Sequence, residues 1–185
     1  MAIPGFKIKE RLSGERSVIY RATSESTGQD VVLKTHDPSS SSSRAFSKLQ
    51  QEFQMGRLFS GDQGIVEYVE LLNINGTAVL VMKDSGGISL NQFLISHPTL
   101  TLSEQLEIAI QLSKALEVIH NMDVIHRDIK PQNTLVVTMQ DKIQIQLIDF
   151  ELAIRSSADK VENVAAAETV AAASGELVGT LQYIS

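Results

Sequence analysis

The hydrophobic pattern changes period once along the chain, at Gly86-Gly87, and that change limits the folds open to it. Before it, apolar residues fall in short runs separated by turn residues. Phe6 to Leu12, Val18 to Ala22 and Asp30 to Lys34 are expected as three strands, divided by Ser13-Gly14-Glu15-Arg16 and Ser26-Thr27-Gly28-Gln29. Ser39 to Ser43 offer nothing to bury and are expected as a connector. A helix comes next from about Arg44, with Phe46, Leu49 and Phe53 on one face. Ile65 to Leu72 and Thr77 to Met82 flank Asn75-Gly76, a pair that suits a tight hairpin turn. Residues 1–85 are therefore predicted as a five-stranded antiparallel sheet with one helix.

After the glycines the period becomes helical. Thr101 and Glu104 have capping-box spacing, and Leu102, Leu106, Ala109, Leu112, Leu116 and Ile119 recur along a helix expected to end near Met122. A second hairpin is expected from Thr134 to Thr138 and Ile143 to Ile148, turning at Gln140-Asp141. Arg155 to Ser174 is rich in Ser, Ala and Glu, which predicts a surface loop or a marginal helix. The fold class is α+β, with segments 1–85 and 86–185.

Composition narrows the function. A net charge of −6 argues against a nucleic-acid partner, which needs clustered Lys and Arg. The longest apolar runs are too short to cross a bilayer, and the N-terminus has no export pattern. With no cysteine, disulfides and thiolate metal sites are excluded, and a cytoplasmic setting is the default. His120 is expected to pack against its neighbours rather than to bind metal, while His36 and His97 stand alone.

The chemistry is concentrated in His126-Arg127-Asp128-Ile129-Lys130-Pro131-Gln132-Asn133, with Ile148-Asp149-Phe150 further on at the end of a strand. Two carboxylates and a carboxamide on adjacent loops suit phosphoryl transfer, which needs a metal on phosphate oxygens and an acceptor for a hydroxyl proton. This arrangement resembles the catalytic and metal-binding loops of protein kinases. Upstream, Lys34 closes a strand and Glu52 lies on the next helix, in the order and separation of that family.

The resemblance implies a bilobal kinase fold, with the sheet as N-lobe (1–85) and an incomplete, mainly helical C-lobe (86–185). It implies ATP and magnesium as cofactors and a protein serine or threonine as acceptor. Asp128 would take the hydroxyl proton, Lys130 would neutralise the transferring phosphoryl group, and Asn133 and Asp149 would hold magnesium. Leu12, Gly14, Ile19, Val32 and Lys34 would line the nucleotide, with Glu52 pairing Lys34.

Two departures stand out. Kinases commonly carry three glycines in the phosphate-covering loop, but this chain keeps only Gly14, with Leu12 and Ser17 at the other two positions. Losing a glycine where positive φ is required costs on the order of 1–2 kcal/mol. Glu151 also replaces the glycine of D-F-G, which is expected to stiffen the hinge and add negative charge near the metal. These departures motivate an alternative, a pseudokinase that binds nucleotide or a partner without transfer.

Ile3-Pro4-Gly5-Phe6, Ser17-Val18-Ile19-Tyr20-Arg21 and Gly179-Thr180-Leu181-Gln182-Tyr183 further resemble the N-terminal kinase-like domain of large multidomain signalling proteins. Further domains are then expected after Ser185. Apolar residues of the long helix are expected to be partly exposed in the chain taken alone.

Overall fold

Strands β1 (Phe6–Leu12), β2 (Val18–Ser24), β3 (Asp30–Thr35), β4 (Tyr68–Ile74) and β5 (Thr77–Lys83) form one antiparallel sheet in the order β1-β2-β3-β5-β4. The computed structural model describes residues 3–12, 17–36, 43–140 and 142–156. The chain divides into two units after Gly86, and this sheet with helix α1 (Ser43–Gly56) makes up the first.

Alternation along each strand separates two faces. Tyr20, Ala22, Val31, Leu33, Val79 and Val81 form the core on one face, closed by Ile3. On the other face Leu12 pairs with Ile19, Ile19 with Lys34, and Lys34 with Leu80. Tyr68, Met82 and Val32 form a second row there. Helix α1 packs on this second face through Leu49, Glu52 and Gly56, all buried. The β4–β5 turn is as expected: Asn75 (φ 52°) and Gly76 (φ 83°) are both left-handed, as a type I′ turn requires.

Two β-bulges modify the faces. In β1 the register shifts between Ile8 and Glu10, and in β4 between Tyr68 and Glu70. Each inserts one residue, Lys9 or Val69, and reverses the facing of the rest of its strand. Phe6 and Ile8 therefore pack on the core while Leu12 joins the lysine face; likewise Leu72 and Ile74 pack on the core while Tyr68 meets the helix.

In the second unit β6 (Ile88–Ser89) leads directly into α2 (Leu90–Ser96), whose Ser89 and Gln92 form a capping box. Helix α3 (Leu102–Asn121) starts with the expected Thr101–Glu104 box. Strands β7 (Val124–Ile125), β8 (Thr134–Met139), β9 (Lys142–Leu147) and β10 (Ile154–Arg155) complete it, as a β6-β8-β9 sheet and a β7–β10 pair. Phe93, Ile108, Val136 and Ile145 form one of its core clusters. Gln111 clamps α3 to the sheet edge: its Nε2 donates to Ile143 O (2.7 Å) and its Oε1 accepts from Ile145 N (2.9 Å).

Several expectations need correction. The buried positions of α3 are Ile108, Ala115 and Ile119, whereas Leu102, Leu106 and Ala109 are exposed. Besides the buried stripe, α3 carries a second apolar stripe of Leu102, Leu106 and Ile110 at helical spacing, so spacing alone did not select the face. His120 is exposed rather than packed. Strand β4 begins at Tyr68, not Ile65. Arg155 lies in β10, paired with Val124, and does not open a loop. Among the described residues, no helix is long and apolar enough to cross a membrane.

Candidate active site

Lys34 and Glu52 meet inside the first unit. Lys34 Nζ lies 2.7 Å from Glu52 Oε2, and the two residues are 6% and 1% exposed. Burying such a pair costs several kcal/mol of desolvation per ion. Its consequence is therefore direction rather than stability: the ammonium is held at one place on the sheet. The other carboxylate oxygen, Oε1, accepts from the Tyr68 hydroxyl at 3.3 Å. Sequence reading did not single out Tyr68.

Leu12, Ile19 and Val32 are half-buried and share the face of Lys34, so a lysine and an aliphatic surface lie side by side. Gly14 is outside the described residues, as are Arg155-to-Ser174 positions beyond Ser156 and the Gly179-to-Tyr183 segment.

In the second unit the Asp128 loop is built from its own hydrogen bonds. Pro131–Asn133 forms a 3₁₀ turn with proline at its first position, where the missing N–H costs nothing. That turn returns Asn133 to Asp128: its Nδ2 donates to Asp128 Oδ2 (2.8 Å) and to the Asp128 carbonyl (3.0 Å). Lys130 Nζ lies 2.9 Å from the same Oδ2. Asp128 is thus held by a carboxamide and paired with a cation.

His126 ties this loop to the next one. Its ring is 1% exposed and tilted against Phe150, with centroids 4.8 Å apart. Nε2 lies 3.0 Å from the Ile148 carbonyl, and the Asp128 N–H points at Nδ1 from 3.4 Å. A carbonyl can only accept, so Nε2 carries the proton and Nδ1 accepts: the neutral tautomer fits. Burial holds the His126 pKa below its ordinary value of 6.5, against the opposing pull of the Ile148 carbonyl and of the Asp149 and Asp128 charges. The sequence offered His126 as part of the motif but gave no sign of this bridging position.

Asp149 takes a left-handed conformation (φ 69°, ψ 72°), and Phe150–Leu152 comes next as a 3₁₀ turn. Aspartate tolerates that region better than most residues. Positive φ thus falls on Asp149 and not on Glu151. In this conformation Glu151 needs no glycine-like freedom.

The donor set suits a hard divalent cation, since Asn133 and Asp149 both offer oxygen. The Asn133 amide nitrogen is committed to Asp128, which leaves its side-chain oxygen as the ligand atom. A backbone bond from Ile148 N to Asn133 O (3.1 Å) fixes Asn133 beside the residue that precedes Asp149.

A buried lysine–glutamate pair on a five-stranded sheet, and an Asp-Lys-Asn loop followed by a further aspartate, are the elements that carry the resemblance to protein kinases. A sequence model of the protein kinase domain matches residues 6–185. The chain belongs to the protein kinase family. It is 24% identical over 181 residues to the probable serine/threonine-protein kinase pknA2 of Bifidobacterium longum, covering 96% of this chain and 22% of that protein. It is 28% identical to calcium-dependent protein kinase 9 of Arabidopsis thaliana, covering 83% and 28%. With serine/threonine-protein kinase PknK of Mycobacterium tuberculosis it shares 31% over 151 residues, covering 80% and 13%. The chain thus spans little more than a quarter of these relatives at most.

Proposed function

We propose that this chain is the ATP- and magnesium-dependent catalytic domain of a protein serine/threonine kinase, within a longer cytoplasmic signalling protein. The observation that carries the reading is the Asp128 carboxylate held by Asn133 and paired with Lys130. A fixed carboxylate is what a general base for a serine or threonine hydroxyl requires. Lys130, beside it, offsets charge on the phosphoryl group in transfer. Lys34, aimed by Glu52, binds the α and β phosphates as a point charge. Leu12, Ile19 and Val32 supply the apolar surface against which a purine ring packs. Asn133 and Asp149 would hold magnesium, which when bound supplies positive charge on the phosphate oxygens. The neutral His126 keeps the two loops in register without adding charge beside either acid.

The relatives named as serine/threonine kinases support the acceptor class, and their greater length supports additional domains. Magnesium-dependent ATP binding tests the proposal, measured on the chain and on Asp149→Ala, with phosphate transfer to a generic protein acceptor as the second step. Binding lost in Asp149→Ala, with transfer abolished by Asp128→Ala, is the expected result. Tight, metal-independent binding without transfer, in this chain and in one extended at its C-terminus, would overturn it in favour of a pseudokinase.

A further inference from the structure

Glu52 uses both carboxylate oxygens, Oε2 toward Lys34 and Oε1 toward the Tyr68 hydroxyl. The terminal torsion of a glutamate is broad, so one bond leaves the carboxylate free to rotate. A second bond on the other oxygen removes that freedom. We propose that Tyr68 is a positioning residue for the Lys34–Glu52 pair: its hydroxyl locks the Glu52 carboxylate and thereby sets where the Lys34 ammonium points.

Two further features converge on this contact. Gly56 lies one helical turn beyond Glu52 on the same face of α1, where the Tyr68 ring passes. A Cβ at Gly56 would sit 2.2 Å from Tyr68 Cδ2, so the helix is cut away where the ring must pass to reach Glu52. The bulge at Val69 is what turns Tyr68 toward the helix while Leu72 stays on the core. Tyrosine here is also 1% exposed, and a buried hydroxyl needs a partner. All these residues belong to the first unit; only the catalytic consequence rests on the proposed kinase function.

The test needs no nucleotide. The purified chain is pulsed with an amine-acetylating N-hydroxysuccinimide ester, and Lys34 acetylation is measured by mass spectrometry in wild type, Tyr68→Phe, Tyr68→Ala, Glu52→Gln and the Glu52→Gln/Tyr68→Phe double variant. Exposed Lys83 and Lys142 serve as references for reagent dose, and the far-UV circular dichroism of each variant checks that it is folded. Tyr68→Phe keeps the ring and should raise the Lys34 rate about threefold, the low end of what one net hydrogen bond contributes. It should add nothing in the Glu52→Gln background. A silent Tyr68→Phe with an effect only in Tyr68→Ala would reduce Tyr68 to packing and overturn the proposal, as would a Tyr68→Phe effect that persists without the Glu52 carboxylate. Phosphate transfer is then measured on the same samples. A wild type inert in this chain and in one extended at its C-terminus overturns the kinase reading, while the lysine rates still decide the role of Tyr68.

Discussion

Gly56→Ala sets two physical effects of opposite sign against each other. Gly56 has ordinary helical angles (φ −63°, ψ −35°), so alanine meets no backbone strain there. Helix propensity alone predicts stabilisation by about 1 kcal/mol. The new Cβ, however, would lie 2.2, 2.3 and 2.6 Å from Cδ2, Cε2 and Cγ of Tyr68. Carbon atoms pack at about 3.5–4.0 Å, so the ring has to retreat by roughly 1 Å or more. Tyr68 is 1% exposed and is walled in by the sheet and α1. Overpacking of this kind costs about 1–3 kcal/mol, and drawing the hydroxyl off Glu52 adds about 1 kcal/mol. The net expectation is a destabilisation of about 1–3 kcal/mol, read from urea denaturation midpoints at constant slope. In a Tyr68→Ala background the clash is gone, and the same substitution should turn stabilising by about 1 kcal/mol. Stabilisation in the wild-type background, or an equal loss in both, would refute the packing argument.

Lys34→Met alone strands a buried carboxylate and should cost about 3–5 kcal/mol, whereas Lys34→Met with Glu52→Leu should cost much less; denaturation of both variants checks this. Gln111→Ala removes the clamp on Ile143 and Ile145 and should destabilise by about 1–3 kcal/mol, with faster hydrogen exchange at the Ile145 amide. Stability should also fall with acid through His126. Its folded pKa is depressed, so as pH drops through 6.5 the unfolded chain takes up the proton first; the contribution is complete above that value and is lost below it. His126→Gln should flatten the decline in melting temperature between pH 7.5 and 5.5.

The regular elements were legible because local signals agreed. Asn75-Gly76 dictated its turn, Thr101 with Glu104 marked the start of α3, and short apolar runs marked all five strands of the first sheet. The pairing of Lys34 with Glu52 was legible only through the resemblance to protein kinases, which place a lysine and a glutamate in this order and at about this separation. Helix α2 was missed because seven residues hold fewer than two turns of periodicity, although Ser89 and Gln92 carried its capping signal. The buried face of α3 was misjudged because Leu102, Leu106 and Ile110 form an exposed apolar stripe with the same helical spacing as the buried one. Tyr68 was invisible for a different reason: strict alternation places it with Leu72, and only the bulge between them puts the two on opposite faces. Bulges have no strong signature in side-chain type, so a site residue that depends on one is hidden from pattern reading.

The same bulges predict where this sheet tolerates change in length. Removing Lys9 or Val69 would convert a bulged strand into a regular one while leaving Leu12 opposite Ile19 and Tyr68 opposite Met82. Removing a residue from an unbulged stretch, such as Val32 in β3, would turn the rest of that strand inside out and send a core side chain to the place of a charged one. In a library of single-residue deletions, positions 9 and 69 should therefore be islands of tolerance inside strands that otherwise admit none.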